Sequence, residues 1–249
     1  MVKMVIYKKK NMKIAVCFMG IVGGVAGPGG EGGILDPSLS YQTFKENVID
    51  QNDEIDVFIH TWSVEKKKQL IELYQPKSII AEESSFTEKD MKGFGVLAKT
   101  KPETRIRSFC RWNSNYKVIQ LKKEYEEENN FNYDCVFVTR LDLNYKIPFQ
   151  FNDFNLDYLY IPNFRKYKQT LNGNQWGDTF YFSNSKMIDN FLVYYKDINA
   201  ISQANHWRYQ ADNAAMMKNY IHRFTKKVKE SFVDPHEVQQ IRKENWNSA

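Results

Sequence analysis

Cysteine and histidine are scarce in this sequence, and their spacing excludes several kinds of site. Its 249 residues include three cysteines and four histidines. Cys17, Cys110 and Cys135 have neither the spacing of zinc ligands nor the even number of a disulfide framework, so we expect small buried thiols in a reducing compartment. N-x-Ser/Thr glycosylation sites are absent as well. The sequence therefore predicts a cytoplasmic protein.

Long hydrophobic runs and dense blocks of one charge are also missing. No run reaches the ~20 apolar residues of a transmembrane helix, and Met12–Val16 is too short for the core of a signal peptide. The net charge is +5, and the run Lys8–Lys10 lies in a basic tail predicted over residues 1–12. A slightly basic body suits an anionic substrate such as a nucleotide. We expect no transmembrane segment and no nucleic-acid partner.

Glycine is rare outside the stretch MGIVGGVAGPGGEGG, residues 19–33, which holds eight of the twelve glycines. Within it, Gly27–Gly32 spells the G-x-G-x-x-G of dinucleotide-binding folds. That motif needs a helix directly after the glycines and an acid about 20 residues further on. Here helical spacing begins only at Ser40, and the second predicted strand ends in His60 and Thr61. We interpret the stretch as a thin loop that a flat or anionic ligand can approach, rather than as an NAD site or a linker.

Aromatic residues are plentiful, and predicted strands alternate with predicted helices. Aromatics make up 15% of the chain, which suits either a thick core or a cleft for flat rings and sugars, and we expect most of them in the core. Apolar runs predict strands at 13–19, 57–60, 77–80, 135–138, 157–162 and 178–184. Helical periodicity predicts helices at 40–53, 64–75, 104–129, 185–195 and 210–221, and a last helix from 234 onward.

This alternation predicts an α/β fold, a Rossmann-like and mainly parallel sheet flanked by helices in a single domain. We assign residues 13–223 to that domain, after the basic tail. Residues 224–249 are predicted to be a helical extension, because Pro235 suits a first helical position. The segment KKEYEEENN, residues 122–130, is expected to be a solvated charged surface.

Candidate binding groups follow the predicted strands, because ligands of open parallel sheets bind beyond the carboxyl ends of the strands. The glycine loop follows the first strand, and His60 and Thr61 end the second. Arg140 and Asp142 follow the buried strand at 135–138. Asp142 can hold a divalent ion or a ribose hydroxyl, and Arg140 can carry diphosphate charge. The alternative is an Arg140–Asp142 ion pair at the rim of the sheet, since residues two apart on a strand share a face.

Two further carboxylates and a tryptophan are candidates for the reacting centre. Asp178 lies at the amino end of the last predicted strand, and nearby Trp176 can stack on the apolar face of a sugar or can be a core residue. Asp212 opens the helix at 210–221, where it is either a base facing the cleft or an N-cap.

The motifs KIAVCFMG, DVFIHTWS, CVFVTRLDL, WGDTFYFSNSKMID and ADNAAM occur in this order between Lys13 and Ile221. In this arrangement the chain resembles small nucleotide-sugar glycosyltransferases of the GT-A fold. It is similar to the WavE-like enzymes of bacterial lipopolysaccharide and capsule clusters, and to glycosyltransferases of large algal viruses. If the chain is viral, the cytoplasm in question is that of the host.

The resemblance implies a hexosyl- or pentosyltransferase that moves a sugar from a UDP- or GDP-sugar to a hydroxyl of a glycan or polysaccharide. It implies that the first loop and the end of the second strand cradle the nucleoside, and that Arg140 and Asp142 replace the usual D-x-D. A divalent cation, Mn²⁺ or Mg²⁺, is implied as cofactor with Asp142 as its ligand, although Arg140 leaves only one carboxylate. The implied donor-binding residues are Gly20, Gly23, Gly24, His60, Thr61, Arg107, Arg111, Arg140 and Asp142.

Arg107 and Arg111 lie one helical turn apart before the Arg140 strand, and they either reach the diphosphate or belong to a solvated helix face. Asp212 and Asp178 are the candidates for the base that deprotonates the acceptor, with Asp212 slightly preferred, and Trp176 is the candidate for acceptor binding. The alternatives to a transferase are a non-catalytic nucleotide-sugar binding module and an NAD-dependent oxidoreductase.

Overall fold

Strands and helices alternate through the first half of the chain. The computed structural model describes residues 11–22, 36–84, 86–87, 89–91, 102–163, 177–200, 213–233 and 237–241. The strands are β1 Lys13–Gly20, β2 Glu54–Thr61, β3 Ser78–Ala81, β4 Cys135–Arg140, β5 Leu143–Tyr145, β6 Leu159–Asn163, β7 Tyr181–Ser183, β8 Val228–Val233 and β9 Val238–Gln240. The helices are α1 Pro37–Asn47, α2 Lys67–Tyr74, α3 Pro102–Asn129, α4 Ser185–Lys196 and α5 Asn213–Phe224.

Seven of these strands form one mixed sheet in the order β3-β2-β1-β4-β7-β6-β8. Strand β1 is parallel to both β2 and β4, and β2 is parallel to β3, whereas β7 is antiparallel to its neighbours β4 and β6. The predicted α/β class, with a mostly parallel Rossmann-like sheet flanked by helices, is confirmed. The chain runs from β1 outward to β2 and β3 and then returns to β4 on the other side of β1. The β1–β4 pair is therefore the topological switch point of the sheet.

The core lies on both faces of the sheet, as the continuous apolar sequence of β1 predicts. Ile14, Val16 and Phe18 face a cluster that includes side chains of α1 and α2. The alternate residues of β1 face a second cluster that includes side chains of α3, α4 and α5. Most of the aromatic surplus is buried in these two layers, where most ring pairs are edge-on or tilted and a few are stacked. Among the described residues, no helix is long and apolar enough to cross a membrane.

Side chains cap the N-termini of two helices, α1 and α4. The Asp36 carboxylate accepts from Ser38 N at 3.0 Å and caps α1, with proline in the first turn. Asn184 caps α4 by accepting from Met187 N at 2.9 Å. Both residues are better placed than the neighbouring serines because their side chains reach the free N–H groups of the first turn.

The prediction that residues 224–249 form a helical extension is wrong for the described part of that segment. Residues Val228–Val233 form β8, which pairs in parallel with β6, and Val238–Gln240 form β9, which pairs with β5. The Phe232 ring stacks on Phe149 with 3.6 Å between the ring centres. Pairing and packing with distant residues override the weak helical signal at this end of the chain. The proposed division at residues 12 and 223 stays a prediction.

The segment at 122–130 is not fully solvated either. The Lys122 side chain is entirely buried, and its ammonium donates to Glu126 at 2.9 Å, to Ser185 Oγ at 2.7 Å and to Asp189 at 2.6 Å. This buried cation is tolerated because it has two carboxylates and a hydroxyl around it. The cluster ties α3 to α4 on one face of the sheet.

Candidate functional site

The carboxyl end of β4 carries a tightly held ion pair. Arg140 is the last residue of β4, level with Met19 of β1 at the switch point. Its Nε donates to Asp142 Oδ1 at 2.6 Å, and its Nη2 donates to Oδ2 at 2.7 Å. Burial alone lowers the pKa of Arg140, but the charge and hydrogen bonds of Asp142 outweigh it, so the pKa is raised. The ion pair that was the alternative prediction for these two residues is therefore present.

A residue from the C-terminal strand completes this pair. Strand β9 pairs antiparallel with β5, which brings Gln240 opposite Leu143. The Gln240 amide donates to Asp142 Oδ2 at 2.8 Å, and Ile241 N donates to the Asp142 carbonyl at 2.8 Å. Sequence reasoning missed Gln240 because that end of the chain was predicted to be helical, and no motif marks the residue.

A second guanidinium approaches the same edge from α3. The Arg111 side chain is 8% exposed, and its Nε lies 4.0 Å from Asp178 Oδ2. Its Nη2 donates to the Asp178 carbonyl, and its Nη1 contacts the Met19 sulfur. Arg111 Nε has no hydrogen-bond partner among the described residues. Burial lowers the pKa of Arg111, and the Asp178 charge acts in the opposite direction.

Four charged groups therefore converge beyond the ends of β1 and β4: Arg111, Arg140, Asp142 and Asp178, here called the charged cluster. The charges of Arg140 and Asp142 affect the pKa of Arg111, and the charge of Asp178 affects the pKa of Arg140. Asp178 reaches the cluster because β7 is antiparallel to β4, so the start of β7 lies beside the end of β4. Arg140 and Asp178 are each 25% exposed, which leaves the cluster open to a ligand.

The structure separates the two arginines predicted to act together on α3. Arg107 is exposed, and its Nε donates to the Glu103 carbonyl at 3.2 Å within the helix. This is the solvated helix face that was the alternative for both residues. Only Arg111 points into the charged cluster.

Gly20 ends β1 level with Thr61, and its backbone is already engaged. Its φ of +97° requires glycine, while a Cβ placed there would meet nothing within 4 Å. Gly20 N donates to Ser114 Oγ at 2.8 Å, and the Gly20 carbonyl accepts from Trp62 N at 3.1 Å. At this position glycine is needed for the turn of the backbone rather than for room beside it.

His60 is buried, and both its ring nitrogens bond to protein groups. Nδ1 lies 2.7 Å from Ser114 Oγ, and Nε2 lies 3.3 Å from Glu82 Oε1. Burial lowers the pKa of His60 to about 4, although Glu82 opposes the shift. The ring is thus neutral at pH 7, and these partners assign the proton to Nε2, which donates to Glu82, while Nδ1 accepts from the Ser114 hydroxyl. The Ser114 hydroxyl, near the middle of α3, contacts both the His60 ring and Gly20 N, so it joins the ends of β1 and β2 to this helix.

Thr61 is buried as well, and its hydroxyl oxygen accepts from Ser63 N at 3.1 Å. Direct contact of His60 and Thr61 with a nucleoside stays a prediction. Several other predicted residues lie outside the described ranges: Gly23, Gly24, the glycines from Gly27 to Gly33, Trp176 and Asp212.

The groups around Asp142 do not form a cation site in their present arrangement. Within the described ranges, no three His, Cys, Asp or Glu residues are grouped in a way that could hold a metal ion. Both Asp142 oxygens accept from N–H donors, and two guanidinium groups stand nearby. Divalent cations such as Mg²⁺ bind several oxygen ligands, whereas three of the roughly four lone pairs of the Asp142 carboxylate already accept hydrogen bonds.

Comparison with known proteins does not assign the chain to a family. No protein-family model matches the chain, and no curated protein matches it closely enough to count. The function of the charged cluster must therefore be judged from its own chemistry.

Proposed function

We propose that the chain is a GT-A-type glycosyltransferase that moves a sugar from a UDP- or GDP-sugar to a hydroxyl of a glycan or polysaccharide. The Arg111 guanidinium is the observation that carries the proposal. It is buried at the carboxyl edge, meets the nearest carboxylate oxygen of Asp178 only at 4.0 Å, and has an unpartnered Nε among the described residues. A buried cation in this position is costly until an anion approaches it.

A diphosphate is the anion that fits this edge best. A guanidinium group is planar, and its N–H donors match the spacing of phosphate oxygens. The charged cluster contains two such groups, those of Arg111 and Arg140. The cluster lies at the β1–β4 switch point, where open α/β sheets bind nucleotides. Negative charge grows on a diphosphate when a sugar leaves it, so fixed cations there stabilise the transition state more than the bound donor.

The transfer needs a base on the acceptor side. The acceptor oxygen attacks the anomeric carbon, the bond from that carbon to the β-phosphate oxygen breaks, and the nucleoside diphosphate leaves with the electron pair. The proton of the acceptor hydroxyl passes to a carboxylate. Asp178 is the described candidate, since its carboxylate is partly exposed beside Arg111. Asp212 remains the other candidate.

The proposal is tested by ligand-induced thermal stabilisation and by release of nucleoside diphosphate from UDP- and GDP-sugars. UDP or GDP should raise the melting temperature of the wild-type chain. Arg111→Gln should weaken binding about 10- to 100-fold, because a hydrogen bond to a charged group contributes roughly 1.5–3 kcal/mol. Arg107→Gln is the matched control, with the same change one turn away on the exposed face, and it should bind normally.

Three results would contradict the proposal in different ways. Stabilisation by NAD⁺ and not by UDP or GDP would favour the oxidoreductase. Normal UDP or GDP binding without release of nucleoside diphosphate, across a panel of sugar donors and glycan acceptors, would leave a binding module. Equal binding by the Arg111 and Arg107 variants would place the ligand elsewhere.

A further inference from the structure

In a metal-dependent site the Asp142 carboxylate would bind the cation. Here both of its oxygens already accept hydrogen bonds from protein donors. Oδ1 accepts from Arg140 Nε, and Oδ2 accepts from both Arg140 Nη2 and the Gln240 amide. Three of the roughly four lone pairs of this carboxylate thus accept hydrogen bonds of 2.6–2.8 Å, so a cation could not take Asp142 as a bidentate ligand without displacing at least one of these donors. The donor set therefore does not fit Mg²⁺ or Mn²⁺, which bind through oxygen ligands.

We propose that this site neutralises the donor diphosphate with the guanidinium groups of Arg111 and Arg140 and requires no divalent cation, and that Gln240 is a positioning residue for Arg140. The inference rests on the proposed function, because it concerns how the same site holds its donor.

The charges around Asp142 support this assignment. The charges of Arg140, Asp142 and Asp178 all affect the pKa of Arg111, and those of Asp142 and Asp178 affect the pKa of Arg140. A divalent cation placed among them would be attracted by Asp142 and Asp178 but repelled by both guanidinium groups, so the charged cluster, with two charges of each sign, offers it no net attraction. The two guanidinium groups supply fixed positive charge at the place where a bound cation would otherwise supply it.

Gln240 fixes the direction of the Arg140 guanidinium through Asp142. Nε and Nη2 of Arg140 donate to the two Asp142 oxygens, so the pair is planar and Nη1 is left out of it. The Gln240 amide anchors the carboxylate from the opposite strand. Neighbouring side chains of a strand point to opposite faces, so Gln239 on β9 does not share this contact and provides a matched control.

The experiment uses the full chain and three probes, inorganic pyrophosphate, UDP and GDP, in titration calorimetry with EDTA and then with MnCl₂. We expect dissociation constants that agree within about twofold between the two buffers. Binding that appears only with Mn²⁺, or weakens tenfold or more in EDTA, would overturn the inference and leave the proposed function standing. Absence of binding in both buffers would overturn the proposed function and the inference together.

A pair of variants tests the role assigned to Gln240. Gln240→Glu removes the N–H donor and adds a second carboxylate beside Asp142, so pyrophosphate binding in EDTA should weaken about tenfold or more. That variant should also regain affinity when Mn²⁺ is added, because two adjacent carboxylates can share a cation. Gln239→Glu carries the same charge on the other face of β9, and it should change neither property. Equal behaviour of the two variants, at equal thermal stability, would refute the positioning role.

Discussion

Lowering the pH from 7 to 5 is expected to destabilise the protein through one buried imidazole, that of His60. Its pKa is about 4 in the folded chain and 6.5 when unperturbed. The folded state disfavours the charged ring. The contribution of the neutral His60 ring to the free energy of unfolding is therefore fully present above pH 6.5 and is lost as the pH falls from 6.5 towards 4. At pH 5 the unfolded ring is protonated and the folded ring is not, which costs about 2 kcal/mol, at 1.36 kcal/mol for each pH unit below 6.5.

Urea unfolding at pH 7 and pH 5 measures this loss. The wild-type chain should lose about 2 kcal/mol more between the two pH values than His60→Gln, which has no titrating ring at this position. His222→Gln is the comparison: His222 is exposed on α5, where partial burial and the charges of Lys226 and Lys218 also lower its pKa, and this variant should keep most of the wild-type pH dependence. An NMR titration of His60 gives the folded pKa directly. A folded pKa near 6.5, or the same pH dependence in His60→Gln as in the wild type, would refute the reasoning.

Two substitutions test the buried Lys122 cluster and the backbone at Gly20. Lys122→Met should lower the free energy of unfolding by about 3–5 kcal/mol, because Glu126 and Asp189 lose a buried counterion. Lys123→Met removes a 40% exposed ammonium and should lower the free energy of unfolding by under about 1 kcal/mol. Equal losses in the two variants would contradict the argument that burial of Lys122 makes its ion pairs important. Gly20→Ala should cost about 1–2 kcal/mol through its φ of +97° alone, despite the open space for a Cβ, and unchanged urea unfolding would contradict this.

The central strands could be predicted because their signal is local. The apolar runs that became β1, β2 and β4 are buried on both faces, and each ends close to its predicted boundary. Strands β8 and β9 have no comparable run, and their conformation depends on pairing with β6 and β5 far away in the sequence. The sequence of a short polar segment does not indicate which strand will pair with it.

The candidate site was predictable where it follows strand ends. Arg140 and Asp142 were found by that rule, and the structure has the ion pair that the sequence left as an alternative. Periodicity put Arg107 and Arg111 on one helix face and could not tell which of them the sheet would cover. Lys122 was assigned to solvent because charged residues are seldom buried, and its partner Asp189 lies on another helix.

The stack of Phe232 on Phe149 links the charged cluster to a distant edge of the sheet. Gln240 and Asp142 are separated by 98 positions in the sequence, and they meet only while β9 stays paired with β5 over three residues. So short a two-stranded ladder has little stability of its own. Strand β9 comes shortly after β8, whose Phe232 stacks on Phe149 and which pairs with β6 at the edge of the main sheet. If the chain binds a diphosphate as proposed, loosening that aromatic contact should change the affinity by altering how often the ladder opens, without touching any group assigned to the ligand.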